Sequence, residues 1–253
     1  MEVFEMNDKI RVTFWHEFKH EKANEFVKSL YPDGIHALVC SFLNEEPDIE
    51  ARFVALDDPD QGLTDELLEN TDVLIWWGHV AHGEVKDELV EKIAYRVMAN
   101  GMGFIPLHSA HKSKPFQRIV GSTGNLSWGE DQKEIVWNIN PSHPIAAGIP
   151  DHFLLDEEEM YGEPFYIPQP DELVFSSWYE HGNIFRSGLC YRRGAGKVFY
   201  FQPGHEGCKA FYNPIVRKII VNAVRWARPA DFGFEQKNDC PHITSHVADE
   251  FNN

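Results

Sequence analysis

The stretch Val73-Leu74-Ile75-Trp76-Trp77, followed by Gly78-His79-Val80-Ala81-His82-Gly83-Glu84 and later by Gly103-Phe104-Ile105-Pro106-Leu107, decides the fold. Five successive apolar residues stopped by a glycine read as a strand covered on both faces. Between the two runs, Glu84 to Asn100 carries apolar residues at helical spacing and ends at Gly101, so the unit reads strand, helix, strand. Strands joined by such a crossover run parallel. Working outward, Ile10 to Trp15 and Arg52 to Leu56 read as two more strands. Helical spacing covers Glu21 to Leu30 and Ile35 to Leu43, separated by the breaker Tyr31-Pro32-Asp33-Gly34, and Thr64 to Asn70 is a short helix with a Thr cap and acids in its first turn. Four strands, each followed by a helix, predict an α/β fold on a mostly parallel sheet.

The second half is less regular. Glu134 to Ile139, Leu173 to Tyr179, Phe185 to Tyr191 and Lys197 to Phe201 read as strands between Pro- and Gly-rich turns and are expected to extend the same sheet. Asn213 to Ala227 reads as a helix with Pro214 at its first position. Residues 9–229 are expected to form a single domain, and residues 230–253, polar and without periodicity, a tail. In that tail Cys240, His242 and His246 have the spacing of metal ligands but lack a fourth.

With 253 residues and 43% hydrophobic side chains the chain can bury a sizeable core. Its 40 acidic and 23 basic residues give a formal charge of −17, which repels nucleic-acid phosphates and anionic lipid. Tyr191-Arg192-Arg193 is the densest basic stretch and reads as a solvated hairpin. The start lacks a basic region followed by an apolar run, and no eighteen apolar residues occur in succession, so a cytoplasmic protein that neither binds nucleic acid nor enters a membrane is expected. Cys40, Cys190, Cys208 and Cys240 are widely spaced, as reduced thiols are. The 13% aromatic content leaves material for a homo-oligomeric interface, although aromatic residues fill cores equally well.

Seven of the thirteen histidines follow the ends of apparent strands: His16 and His20, His79 and His82, His108 and His111, and His205. In an open α/β sheet these ends share one crevice, so the imidazoles are predicted to gather in a metal or acid/base site. Gly103 to His111 has the shape of a strand turning sharply into a helix, with His108 or Ser109 at its tip. Ser109 could be a nucleophile or only a helix cap, and His111, three residues beyond His108, shares its face. His205-Glu206 directly follows a strand, as a base with its orienting acid or a metal ligand with one would. The glycines flanking His79 and His82 let backbone approach a ligand, with the N-terminus of the next helix as a polar clamp. The acidic run Glu157 to Glu163 reads as a solvated face or, if extended, as one that turns Glu159, Tyr161 and Glu163 toward a polyol with Arg186 as partner. Trp76, Trp77, Trp128, Trp137 and Trp178 could stack on a sugar, though Trp76 and Trp77 read more simply as core.

Taken together, IRVTFWHEFKHEK, DVLIWWGHVAHGE, GFIPLHSAHKSK, EEEMYGEPF and FRSGLCYRRGAGKVFYFQPGHE resemble the trehalose-utilisation (ThuA-like) family over about residues 9 to 229. The resemblance implies a class I glutamine amidotransferase-like fold: a flavodoxin-like three-layer sandwich, mostly parallel, with helices on both faces. Amidotransferases carry a catalytic Cys at the elbow and a late-strand His followed closely by Glu. Here His108 stands at the elbow while His205 and Glu206 are kept, so glutaminase chemistry through a thioester is not expected.

The same resemblance implies a metal in place of the thiol, with His20, His108 and His205 holding zinc or a similar divalent ion. A sugar substrate is expected, trehalose or a keto sugar, with hydrolysis or isomerisation using His205, Glu206 and His82 for proton transfer and His79, Ser109, His111, Glu159, Tyr161, Glu163 and Arg186 for binding. The rival readings are a non-catalytic sugar-binding or regulatory protein, and a serine hydrolase built on Ser109.

Overall fold

The computed structural model describes residues 9–230; the tail beyond them, with Cys240, His242 and His246, lies outside the described residues. The expected strands appear at Ile10–His16 (β1), Ile49–Ala55 (β2), Val73–Trp77 (β3) and Gly103–Pro106 (β4). In β3 alternate side chains serve opposite layers: Val73, Ile75 and Trp77 join one core, Leu74 and Trp76 the other. That is why the run is apolar at every position.

Five further strands follow at Ser127–Asn138 (β5), His152–Gly162 (β6), Glu172–Tyr179 (β7), Ile184–Arg193 (β8) and Gly196–Phe201 (β9). Among the described residues all nine form one sheet in the order β2-β1-β3-β4-β9-β8-β7-β5-β6. The first five positions repeat the flavodoxin-like order, with β9 in the fifth place. The sheet is mixed, which corrects the expectation of a mostly parallel one: β2-β1-β3-β4-β9 are parallel neighbours, and β9-β8-β7-β5-β6 are antiparallel. Short turns such as Tyr179–Asn183 and Arg193–Gly196 join antiparallel strands without a crossover helix.

Helices cover both faces. Ile35–Leu43 (α3) and Pro214–Ala227 (α7) lie on one, and Asp65–Glu69 (α4), Asp87–Met98 (α5) and Lys114–Val120 (α6) on the other. Thr64 caps α4 by accepting from the Leu67 amide, and Asn213 caps α7 ahead of Pro214. Glu21 to Leu30 is two helices, His20–Ala23 (α1) and Glu25–Leu30 (α2), because Asn24 adopts an extended backbone and caps the second. Helix α5 starts later than its periodicity suggests, since His82–Glu84 forms a separate 3-10 turn. The acidic run Glu157 to Glu163 takes the extended alternative up to Gly162, as the end of strand β6. Among the described residues no helix is long and apolar enough to cross a membrane.

Candidate functional site

The parallel half of the sheet brings the ends of β1, β3, β4 and β9 to one edge, and four of the seven strand-end histidines meet there. Ring centroids lie 5.2 Å apart for His20 and His79, 5.9 Å for His79 and His108, and 5.3 Å for His108 and His205. At their centre is Glu206, 5% exposed. Its carboxylate is 3.0 Å from His79 Nδ1, 3.2 Å from His20 Nε2 and 3.5 Å from His205 Nε2. Burial works to raise this carboxyl, but the His79 hydrogen bond and the charges of His79, His205 and His20 outweigh it and hold it at about 2. His79 shows the reciprocal effect: burial pulls its imidazole down, yet the bond to Glu206 moves it above the ordinary value. His205 is lowered by burial and by His108, so it is neutral near pH 7.

His108 sits at the tip of the β4 elbow in a left-handed conformation, with φ +50°. Such backbone is costly for a residue with a Cβ and marks a position held by its surroundings. Its Nδ1 donates to the Gln202 carbonyl at 3.0 Å, leaving Nε2 3.1 Å from Glu159 and 3.3 Å from the Tyr161 hydroxyl. Burial would raise the Glu159 carboxyl; the His108 hydrogen bond overrides it and lowers it. The chain therefore places an imidazole–carboxylate pair where the resemblance puts a thiol in amidotransferases.

Three acids that were not singled out as functional position these groups. Glu17, fully buried, accepts from the backbone amides of Val80 and Ala81 at 2.9 Å. These loop amides are distinct from the helix N-terminus that the sequence suggested for a ligand clamp, since α5 starts only at Asp87. Glu158 accepts from the amides of Gly204 and His205 at 3.0 and 2.8 Å, fixing the loop that carries His205 and Glu206. Burial, and then the nearby Glu134, push the Glu158 carboxyl well above its usual range. Asp131 lies 3.6 Å from His205 Nδ1, and the Cys208 thiol 3.7 Å from the same nitrogen. Only Glu17 carries a sequence signal, its place directly after the strand-end His16; the other two depend on β5 and β6 folding back over the crevice.

A cavity of about 370 Å³ opens beside the cluster, lined among others by His79, His82, Ser109, His111, Glu159 and Tyr161, with Trp128 at 67% exposure on its rim. Burial, then His79 and Lys112, lower His82 to about 4, and burial lowers His111 to about 3. His111 donates from Nδ1 to the Gly124 carbonyl at 2.6 Å. Ser109 Oγ donates to the Gly78 carbonyl at 2.8 Å, so its proton goes to backbone. Glu163 and Arg186 pair with each other at 2.7 and 2.9 Å and with the Phe165 backbone, tying the loop after β6 to β8 away from the cavity lining. Trp76 and Trp77 are fully buried core, whereas Trp137 and Trp178 are half-exposed on the antiparallel strands.

For a divalent cation, three groups of ligand atoms in the crevice each lie within 4.8 Å of one another: Asp131, His205 and Cys208, and two built on one shared carboxylate, His20, His79 and Glu206, and His108, His205 and Glu206. Glu206 belongs to both. His20 thus groups with His79, and His108 with His205, each pair with Glu206, in a division that differs from the expected set of His20, His108 and His205. Two imidazoles and a carboxylate suit zinc or a similar ion, and the buried His20 Nδ1 has no hydrogen-bond partner.

The profile of a family described as ThuA, trehalose utilisation, matches residues 11–227. No curated protein sequence matches. Among solved structures, a protein described as ThuA-like from Parabacteroides merdae ATCC 43184 is similar with a TM-score of 0.66 at 14% identity, covering 87% of this chain and 90% of that one. A cytoplasmic protein from Salmonella typhimurium is similar with a TM-score of 0.58 at 13% identity, covering 87% and 99%. A glutamine amidotransferase from Thermotoga maritima overlaps more loosely, with a TM-score of 0.47 at 13% identity over 78% and 76%.

Proposed function

The chain belongs to the trehalose-utilisation (ThuA) family, and on that premise we propose that it is a cytoplasmic, metal-assisted hydrolase or isomerase of trehalose or a keto sugar derived from it. The observation that carries the reading is Glu206, buried and ionised among His20, His79 and His205. A carboxylate held at about 2 by imidazoles is poised to bind a cation or to orient a base. Glu206 with His20 and His79 would hold the ion, whose chemistry when bound is to polarise a sugar oxygen or a carbonyl.

Proton transfer is left to His205. Neutral near pH 7, it can take a proton from water or from a carbon next to a carbonyl, with Asp131 3.6 Å from its other nitrogen to stabilise the charge it gains. His82, also neutral, is a second acceptor on the cavity wall. Glu159, Tyr161 and His111 supply hydrogen bonds for hydroxyls, and Trp128 an apolar face for the ring. Ser109 and the backbone around His79 shape the floor.

A sugar-binding module would share this lining, so the test separates binding from turnover. Chelator-treated protein, reloaded in turn with Zn²⁺, Mn²⁺ and Ni²⁺, is incubated with trehalose and with 3-keto-glucosides, and products are resolved by NMR. Turnover that requires the ion, falls with His79→Ala together with bound metal, and falls with His205→Ala while metal is retained supports the reading. Saturable binding without chemical change, metal-loaded or not, would overturn it in favour of a binding module.

A further inference from the structure

Beneath the loop that leads from β1 to α1, three ionisable side chains are buried together on three elements. His16 ends β1 at 0% exposure, Glu21 lies in α1 at 3%, and His36 in α3 at 3%. Each offers a ligand atom within 4.8 Å of the other two. The rings of Phe14, Phe18, Phe53 and Trp77 surround the two imidazoles at centroid distances of 4.4 to 6.3 Å. Burying such groups among aromatic rings is expensive unless every polar atom finds a partner.

Here the partners are incomplete. His16 Nδ1 meets His36 Nδ1 at 2.9 Å, and Glu21 Oε1 accepts from the Ile35 amide at 3.1 Å. Of the remaining atoms, His16 Nε2 and Glu21 Oε2 are buried and unbonded, and the His16 to Glu21 approach of 3.6 Å is too long for a hydrogen bond. Burial holds both imidazoles below their ordinary value, and the neutral ring is the form that ligates a metal.

We propose that His16, Glu21 and His36 form a structural site for a divalent cation of the zinc type, separate from the crevice. Two imidazoles and one carboxylate supply three of the four ligands that such an ion takes. An ion there would tie β1, α1 and α3 together under the segment that carries Glu17 and His20. That segment includes Phe18 at φ +50°, a conformation that needs holding from outside. The inference stands whether or not the crevice binds a metal.

The test uses tag-free, full-length protein in which Glu206→Gln and His205→Ala remove a ligand from each of the three crevice groups, the third being Asp131, His205 and Cys208. After chelation, zinc loading and desalting, this background is expected to retain one zinc per chain and to show a thermal midpoint that rises with zinc. Adding Glu21→Gln, which keeps an oxygen for the Ile35 amide, should lower zinc at least tenfold and remove the rise while the circular dichroism spectrum stays folded. His36→Gln should do the same from another element. Zinc absent from the background, or retained after Glu21→Gln, would overturn the proposal. A wild-type chain that binds two ions supports both metal readings, whereas one ion lost with Glu21→Gln and unaffected by Glu206→Gln supports this site and refutes the crevice metal.

Discussion

Glu206→Gln in metal-free protein removes one charge from among three imidazoles and keeps the shape of the side chain. The carboxyl is held at about 2 against an ordinary 4.5, which at about 1.4 kcal/mol per pH unit amounts to about 3 kcal/mol at pH 7. At 5% exposure, water does little to screen the interaction. The sign follows from the depressed folded value: the contribution is whole above about pH 4.5 and is lost as the pH falls through about 2, so by pH 3 under half remains. Opposing it, His79 is raised, so its share is present below its unfolded value near 6.5 and lost as pH rises through the folded one. Urea unfolding followed by tryptophan fluorescence should therefore show the variant's midpoint lower by about 1 M at pH 7, with the slope unchanged and the gap closing toward pH 3. A gap that stays constant from pH 7 to pH 3, or no gap at pH 7, would refute the reasoning that charge rather than packing holds Glu206.

Glu17→Ala leaves the Val80 and Ala81 amides without their acceptor and should cost about 3 kcal/mol; a loss under about 0.5 kcal/mol in urea unfolding counts against the buried-clamp account. Glu134 is raised to about 8 by burial, only partly offset by the Ser177 hydroxyl. Its stabilisation is therefore complete below about pH 4.5 and lost as pH rises through about 8, so Glu134→Gln should gain on wild type between pH 5 and 9, and parallel melting curves would exclude this. Gly124→Ala combines φ +60° with a Cβ placed 2.0 Å from the His111 carbonyl oxygen. It should lower the melting temperature by about 5 °C or more and weaken sugar binding through His111; unchanged melting would refute the close packing.

Much of the fold is legible because the inner parallel strands are covered on both sides, whereas the edge strand β2 is largely exposed. Val73 to Trp77 can be apolar throughout only if two layers receive it, and the helical spacing that follows requires a crossover. Strand β6 escapes such reading because its carboxylates are buried by partners from elsewhere: Glu158 by the Gly204 and His205 amides, Glu159 by His108. The mixed character of the sheet is equally hidden, since the turns joining β7, β8 and β9 do not tell which edge the hairpins join.

For the site, strand ends identify the right loops but not the neighbours. His20, His79, His108 and His205 do converge, while His111 and Ser109 turn to backbone acceptors and Glu163 and Arg186 satisfy each other. His16, one of the strand-end histidines, instead turns into the core and is fully buried against His36. Sequence by itself determined the alternation of strand and helix, the elbow at His108, the family and the pairing of His205 with Glu206, because these are local or carried by contiguous motifs. Tertiary structure alone decided that Glu206 is the centre, that Glu17 and Glu158 hold its loops, and that His20 groups with His79. Those facts depend on approaches of 3 to 4 Å between residues more than sixty positions apart in several cases, such as His79 and Glu206, and burial makes such approaches decisive by stripping the water that would otherwise screen them.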